Sequence, residues 1–208
     1  MDIANLGLYV AASLALIATP GQDMIYVITR SLAQGRLAGV CSAAGVCCGI
    51  LVHTAIAALG IGALLLASES LFALLKIAGA AYLIYLGVRL LLQRESIALQ
   101  SAQARRLPAL QVFWQGVLSN VSNPKVALFF LAFLPQFVRP GDPHPTAHLV
   151  FLGVLYAVMA LPVKSAVGIA AGSFAERVLR SPAALAWMSR VSGTVLVALG
   201  LRLAASER

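Results

Sequence analysis

Thr19-Pro20-Gly21-Gln22-Asp23 interrupts an apolar run that begins at Leu6 and resumes from Met24 to Thr29. Proline removes a backbone donor and clashes with the preceding turn, and glycine loosens the turn after it. In a soluble helix this would be an end. Inside lipid, a broken helix persists only where protein or a water-filled cavity covers the freed backbone groups. An acid beside such a break makes a functional site the default reading.

Composition places the break in a membrane. Of 208 residues, 61% are hydrophobic and 11% charged, with a mean hydropathy of +0.92. That is too apolar for a soluble domain and fits a polytopic membrane protein embedded in a lipid bilayer. The formal charge of +8 is scattered between apolar stretches, which an orientation signal explains better than a nucleic-acid surface does. The N-terminus lacks the basic leader of a signal peptide, so the first span is expected to stay. Cys41, Cys47 and Cys48 share one apolar stretch, with neither a disulfide framework nor a CxxC motif.

Six spans can be drawn: Leu6–Thr29, Ala38–Leu66, Leu71–Leu92, Gln111–Val138, His148–Ser173 and Ala183–Ala205. Each has about the 20 residues a helix needs to cross the hydrocarbon. The polar linker at 93–110 divides a single transporter domain, 1–208, into halves at about 1–92 and 111–205. Arg30, Arg36, Arg89, Arg94, Arg105, Arg106, Arg177 and Arg180 fall on one side. Glu69, Arg139, Asp142, Arg202 and Arg208 fall on the other. Positive charge stays cytoplasmic, so both termini are expected outside.

The halves read as copies. Thr19-Pro20 in span one corresponds to Asn123-Pro124 in span four, and Leu86-Gly87-Val88-Arg89-Leu90 to Leu199-Gly200-Leu201-Arg202-Leu203. Each of the latter two is preceded by a base three residues before a glycine, Lys76 with Gly79 and Arg190 with Gly193. A repeat of three spans must insert its second copy upside down, giving a 3+3 inverted repeat with broken helices one and four. The fold expected is an all-α membrane protein of six transmembrane helices.

Thr19 and Asn123 read as N-caps followed by proline at the first helical position, and Gln22 completes a capping-box spacing. Each break would then begin a half-helix whose first amides attract a carboxylate. The plainer reading is a pair of proline kinks. Asp23, Lys125, Lys164 and His53 are the ionisable residues deepest in the spans. A charge buried there costs roughly 3 kcal/mol or more, so these groups should face one another or a wet cavity. Asp23 is expected to face Lys125, either as a structural ion pair or as a site for an amino-acid zwitterion. Substrate binding would fall on Thr19, Pro20, Gly21, Gln22, Asp23, Asn123, Pro124, Lys125 and Lys164. Proton coupling would fall on Asp23 and His53, although a histidine bonded between helices is an equal reading.

Gly45-x-x-x-Gly49 and Gly168-x-x-x-Gly172 allow close helix contact, for packing within the chain ahead of a homodimer seam. His144 and His148 have the spacing of a helical metal pair, but Pro143 and Pro145 set them in a turn with no third ligand. No metal, no cofactor and no enzymatic activity are expected.

Taken together, these residues resemble the LysE-type family of bacterial amino-acid exporters, which includes the homoserine/threonine branch. The resemblance covers nearly the whole chain. It rests on Thr19-Pro20-Gly21 with Asp23, Gly35-Arg36-x-x-Gly39, Gly45, Gly49, His53, Gly79-Ala80-Ala81-Tyr82-Leu83, Leu86-Gly87 and Asn123-Pro124-Lys125. Phe129, Phe130, Pro135, Gln136 and Phe137 complete it. It implies six spans in the inner membrane, export of amino acids or close derivatives, and drive from the proton gradient. One position departs: the family usually has Pro-Gly-Pro, and here Gln22 stands third. A thiol-redox carrier would need cysteines in both halves, and a metal-ion exporter would need more carboxylates or a histidine cluster.

Overall fold

The computed structural model describes residues 6–61, 69–92, 106–139, 142–171 and 181–205, and every regular element among them is helical. In chain order the helices are α1 (Leu6–Ala18), α2 (Gln22–Gln34), α3 (Arg36–Ile56), α4 (Glu69–Leu92), α5 (Ala109–Val121), α6 (Pro124–Leu128), α7 (Pro145–Ala170) and α8 (Pro182–Ala205). The linker at 93–105, Arg177, Arg180, Arg208 and Gly172 lie outside the described residues, as does the side chain of Lys76.

Two helices are long and apolar enough to cross a membrane by themselves, Arg36–Gly60 and Pro145–Ala170. Two more spans result if each bent pair is counted as one: α1 with α2, bent by 49°, and α5 with the segment Pro124–Phe137, bent by 51°. Both bends fall at the expected Thr-Pro and Asn-Pro breaks. The described apolar stretches of α4 and α8, Ile77–Leu92 and Ser189–Leu201, are shorter than a full span.

Local boundaries differ from the sequence reading in instructive ways. α2 runs on past Thr29 to Gln34 and ends at Gly35, whose φ of 91° is a conformation that favours glycine. α3 therefore starts at Arg36 and draws that residue into the helix, two positions before the expected Ala38. Beyond α6 the backbone widens into a π-type turn over Phe129–Phe133 and then tightens to a 3-10 turn over Leu134–Phe137. Pro162 sits within α7, where it removes one helical hydrogen bond without ending the helix.

Glycines set the closest crossings. Gly45 and Gly49 of α3 face Phe113, Val117 and Asn120 of α5, and a Cβ on Gly116 would lie 2.7 Å from the Ser42 carbonyl oxygen. Gly39 of α3 meets Gly168 of α7. On the far side, a Cβ on Gly87 of α4 would lie 2.7 Å from the Gly193 oxygen of α8, and one on Gly193 would lie 2.7 Å from the Gly87 oxygen. Side chains at these positions would force the helices apart, which is how small residues hold membrane helices together. Between these crossings Tyr9, Phe129, Phe130, Phe133, Phe137 and Tyr156 form a buried aromatic cluster. The Tyr9 hydroxyl finds its partner in the Leu152 carbonyl at 2.7 Å.

Candidate functional site

Each break begins with a missing donor. In an α-helix the carbonyl of residue i accepts from the N–H of residue i+4, and proline has none. Pro20 therefore frees the carbonyl of Leu16, while that of Asn120 loses its Pro124 partner and accepts the Asn123 amide at 2.9 Å. In both cases a basic side chain from another helix also donates to the carbonyl. Lys125 Nζ donates to the Leu16 oxygen at 3.3 Å and to the Thr19 oxygen at 3.0 Å. His53 Nε2 donates to the Asn120 oxygen at 3.1 Å, which fixes the hydrogen on that nitrogen. The second break thus reaches into the first through Lys125.

The two half-helices begin differently. Asn123 is the N-cap of α6, its side chain accepting from the Lys125 amide at 3.1 Å with Pro124 in the first turn. The first break corrects the capping expectation. Gly21, with φ −154° and ψ −177°, is the N-cap of α2 and offers no side chain. Thr19 instead closes α1, its hydroxyl donating to the Ala15 carbonyl at 2.7 Å. Gln22 is exposed, so no capping box forms. Removing the cap at the second break should cost roughly 1 kcal/mol. Asn123→Ala is accordingly expected to lower the melting temperature in detergent, while Gln22→Ala leaves it unchanged.

Asp23 lies in the first turn of α2 and is 2% exposed. Its expected partner was Lys125, but its ion pair is with Lys164 of α7, Nζ to Oδ2 at 2.7 Å. Oδ1 accepts the Met24 amide at 3.0 Å. Lys164 is 3% exposed. Lys125 stays close without pairing: a Cβ on Gly21 would stand 3.0 Å from its Nζ and 3.5 Å from Asp23 Oδ1. Gly21 is the gap around which one carboxylate and one ammonium meet.

The fold therefore gathers Thr19, Pro20, Gly21, Asp23, Lys125 and Lys164, with Asn123 and Pro124 holding Lys125 in place. It leaves Gln22 outside and sets His53 at the second break against Phe130, ring centroids 6.0 Å apart. Sequence reasoning missed Leu16 and Asn120, since both act through their main-chain oxygens. The signal was present, because each stands four residues before a proline. Asn120 also matters as a side chain. Among the described residues, the buried side-chain atoms without a partner are Ser13 Oγ, Asn120 Oδ1 and Nδ2, and Asn123 Nδ2. His148 pairs with Asp142 outside the bundle core, and no group of His, Cys, Asp and Glu suited to a metal occurs among the described residues. The cysteines, all on α3, are free thiols.

Apolar helices broken around a buried carboxylate with two ammonium groups define a membrane translocator. The chain belongs to the LysE type translocator family, whose profile matches residues 14–207. It is 30% identical over 202 residues to the homoserine/homoserine lactone efflux protein of Salmonella typhimurium, covering 96% of this chain and 95% of that one. The leucine efflux protein of the same species is 25% identical over 203 residues, covering 97% and 95%. A membrane protein of Pseudomonas aeruginosa is 35% identical over 164 residues, covering 77% and 76%. No solved structure matches the chain.

Proposed function

We propose that the protein exports neutral amino acids or close derivatives across the bacterial inner membrane in exchange for protons. The observation carrying this reading is the buried Asp23–Lys164 pair with Lys125 beside it, where the two broken helices meet. A zwitterion suits such a place. Its ammonium can take Asp23 and the carbonyls at the end of α1, where the helix dipole is negative. Its carboxylate can take Lys164 and the first amides of α2, where the dipole is positive. The unpartnered amide atoms of Asn120 and Asn123 offer hydrogen bonds to a polar substrate, since buried amides left unsatisfied cost about 1–3 kcal/mol each. Relatives named for homoserine, homoserine lactone and leucine support small, uncharged side chains.

The architecture that goes with this function is the six-span inverted repeat with external termini. Support comes from the paired breaks and from α4 and α8. Gly87 packs on Gly193, and Gly200 packs on Ala80 beside Gly79. These contacts exchange under the one register that matches Gly87 to Gly200 and Ala80 to Gly193, as a two-fold axis requires.

The charge of the site sets its selectivity. One carboxylate, already paired, has nothing to offer a second ammonium, and an uncompensated buried cation costs several kcal/mol. At about 1.4 kcal/mol per decade, neutral amino acids should be preferred over lysine by more than a hundredfold. Competition against labelled homoserine, threonine and leucine in everted vesicles measures this. Lysine or arginine outcompeting all three would overturn the reading.

A further inference from the structure

The exchanged proton has to reside on some group, and the geometry distinguishes the candidates. Asp23 is held by Lys164 Nζ at 2.7 Å on Oδ2 and by the Met24 amide at 3.0 Å on Oδ1, so both of its oxygens are already taken by donors. Lys164 shares that pair. His53 Nε2 is committed to the Asn120 carbonyl. Lys125 differs from all of these. Among the described residues its hydrogen bonds are to two main-chain oxygens, Leu16 and Thr19, and no carboxylate of theirs lies within ion-pairing distance of its ammonium. The charged groups facing it are Asp23 from α2 and Lys164 from α7. α1 presents carbonyls to it and α5 has no titratable residue, while Cys47 of α3 and Tyr156 of α7 face the Asp23–Lys164 pair.

We propose that Lys125 carries the exchanged proton, and that its ammonium occupies in the empty protein the carbonyl cradle at the end of α1 that the substrate ammonium takes on loading. This rests on the exporter reading above. The Leu16 and Thr19 oxygens hold one ammonium. When the substrate's ammonium enters, Lys125 loses both hydrogen bonds and meets a second positive charge beside Lys164. Its Nζ then gives a proton to water on the loading side and remains as the neutral amine. After the substrate leaves on the opposite side, Nζ takes a proton from water there and returns to the cradle. One ammonium replaces another, so the broken helix never carries two, and exchange follows from exclusion. Pro20 makes the cradle by depriving Leu16 of its helical partner.

Proton release on binding tests this in the purified protein. A carboxyl still holds part of its protons at about pH 5 and none by about pH 7, whereas an amine of lysine type keeps its proton at both. Homoserine, threonine and leucine are titrated into weakly buffered protein at both pH values with an indicator dye. Release of about one proton per substrate bound at the higher pH is expected. Binding without release there, or release confined to acid pH, overturns the assignment to Lys125. Failure of all three to bind instead overturns the exporter reading. Lys125→Arg supplies the second arm, because a guanidinium keeps its proton. In proteoliposomes its steady-state accumulation should not respond to an imposed pH gradient, whatever exchange rate remains. Gradient-driven accumulation by Lys125→Arg overturns the proposal. Where that variant fails to fold, the wild-type titration decides.

Discussion

Asp23→Asn is expected to yield a folded, membrane-inserted protein whose export falls to near background. The substitution keeps the shape and the hydrogen-bonding capacity and removes the charge. A hydrogen bond to a charged partner contributes up to about 3 kcal/mol, so its loss at the substrate ammonium reduces export roughly a hundredfold. The competing account is that Asp23 only locks α2 to α7 through Lys164. Breaking a buried pair from one side costs about 3–5 kcal/mol, because the other charge is left stranded. Asp23→Asn would then express poorly or melt early, and Asp23→Asn/Lys164→Met would recover both stability and export. Export assayed with the melting temperature of both variants separates the accounts. A stable double variant without transport supports the site, and rescue of transport by the double variant abolishes it. The partner to remove in this cycle is Lys164, which the structure alone could name.

The sequence made the breaks legible because proline and glycine act locally. Their effect on Leu16 and Asn120 comes from the hydrogen-bond count without any tertiary knowledge. The Asn123 cap was equally readable, since asparagine before proline has one favourable geometry there. What the sequence could not settle was which lysine meets Asp23. Lys125 and Lys164 lie on different helices, and the choice depends on how α7 packs against α2, where Gly168 accepts a hydrogen bond from Ser31. The capping box failed for a related reason. Thr19 and Gln22 have the right spacing, but the extended Gly21 lets α1 end before α2 begins, so the two residues belong to different helices. Spacing along the chain identifies residues that could act together, and the direction of each helix decides whether they do. The widened turn at Phe129–Phe133 gave no signal in its sequence of apolar residues.

Gly45→Ala is expected to destabilise the protein more than any other single methyl group added at a helix crossing. Its Cβ would fall on the main-chain carbonyl of Phe113, which cannot rotate away as a side-chain end could. α3 and α5 would have to separate, and a separation at Gly45 opens the neighbouring contacts of Gly116 with Ser42 and of Gly49 with Asn120. Overpacking of this kind costs about 1–3 kcal/mol where side chains yield and more where they cannot. Against a total stability of about 5–15 kcal/mol, that is a large share. The change also reaches the site. His53 reaches the Asn120 carbonyl across this same crossing, and Asn123 and Lys125 come within the next two turns, so displaced α5 carries Lys125 off the end of α1. Melting by temperature-dependent size exclusion should show a fall of several degrees for Gly45→Ala, with export lost at growth temperature. Gly7→Ala is the control, because a Cβ there meets nothing within 4 Å and alanine is the better helix former. Equal melting temperatures for the two variants would mean that α3 and α5 do not cross at Gly45, and the path from this crossing to Lys125 would fall with it.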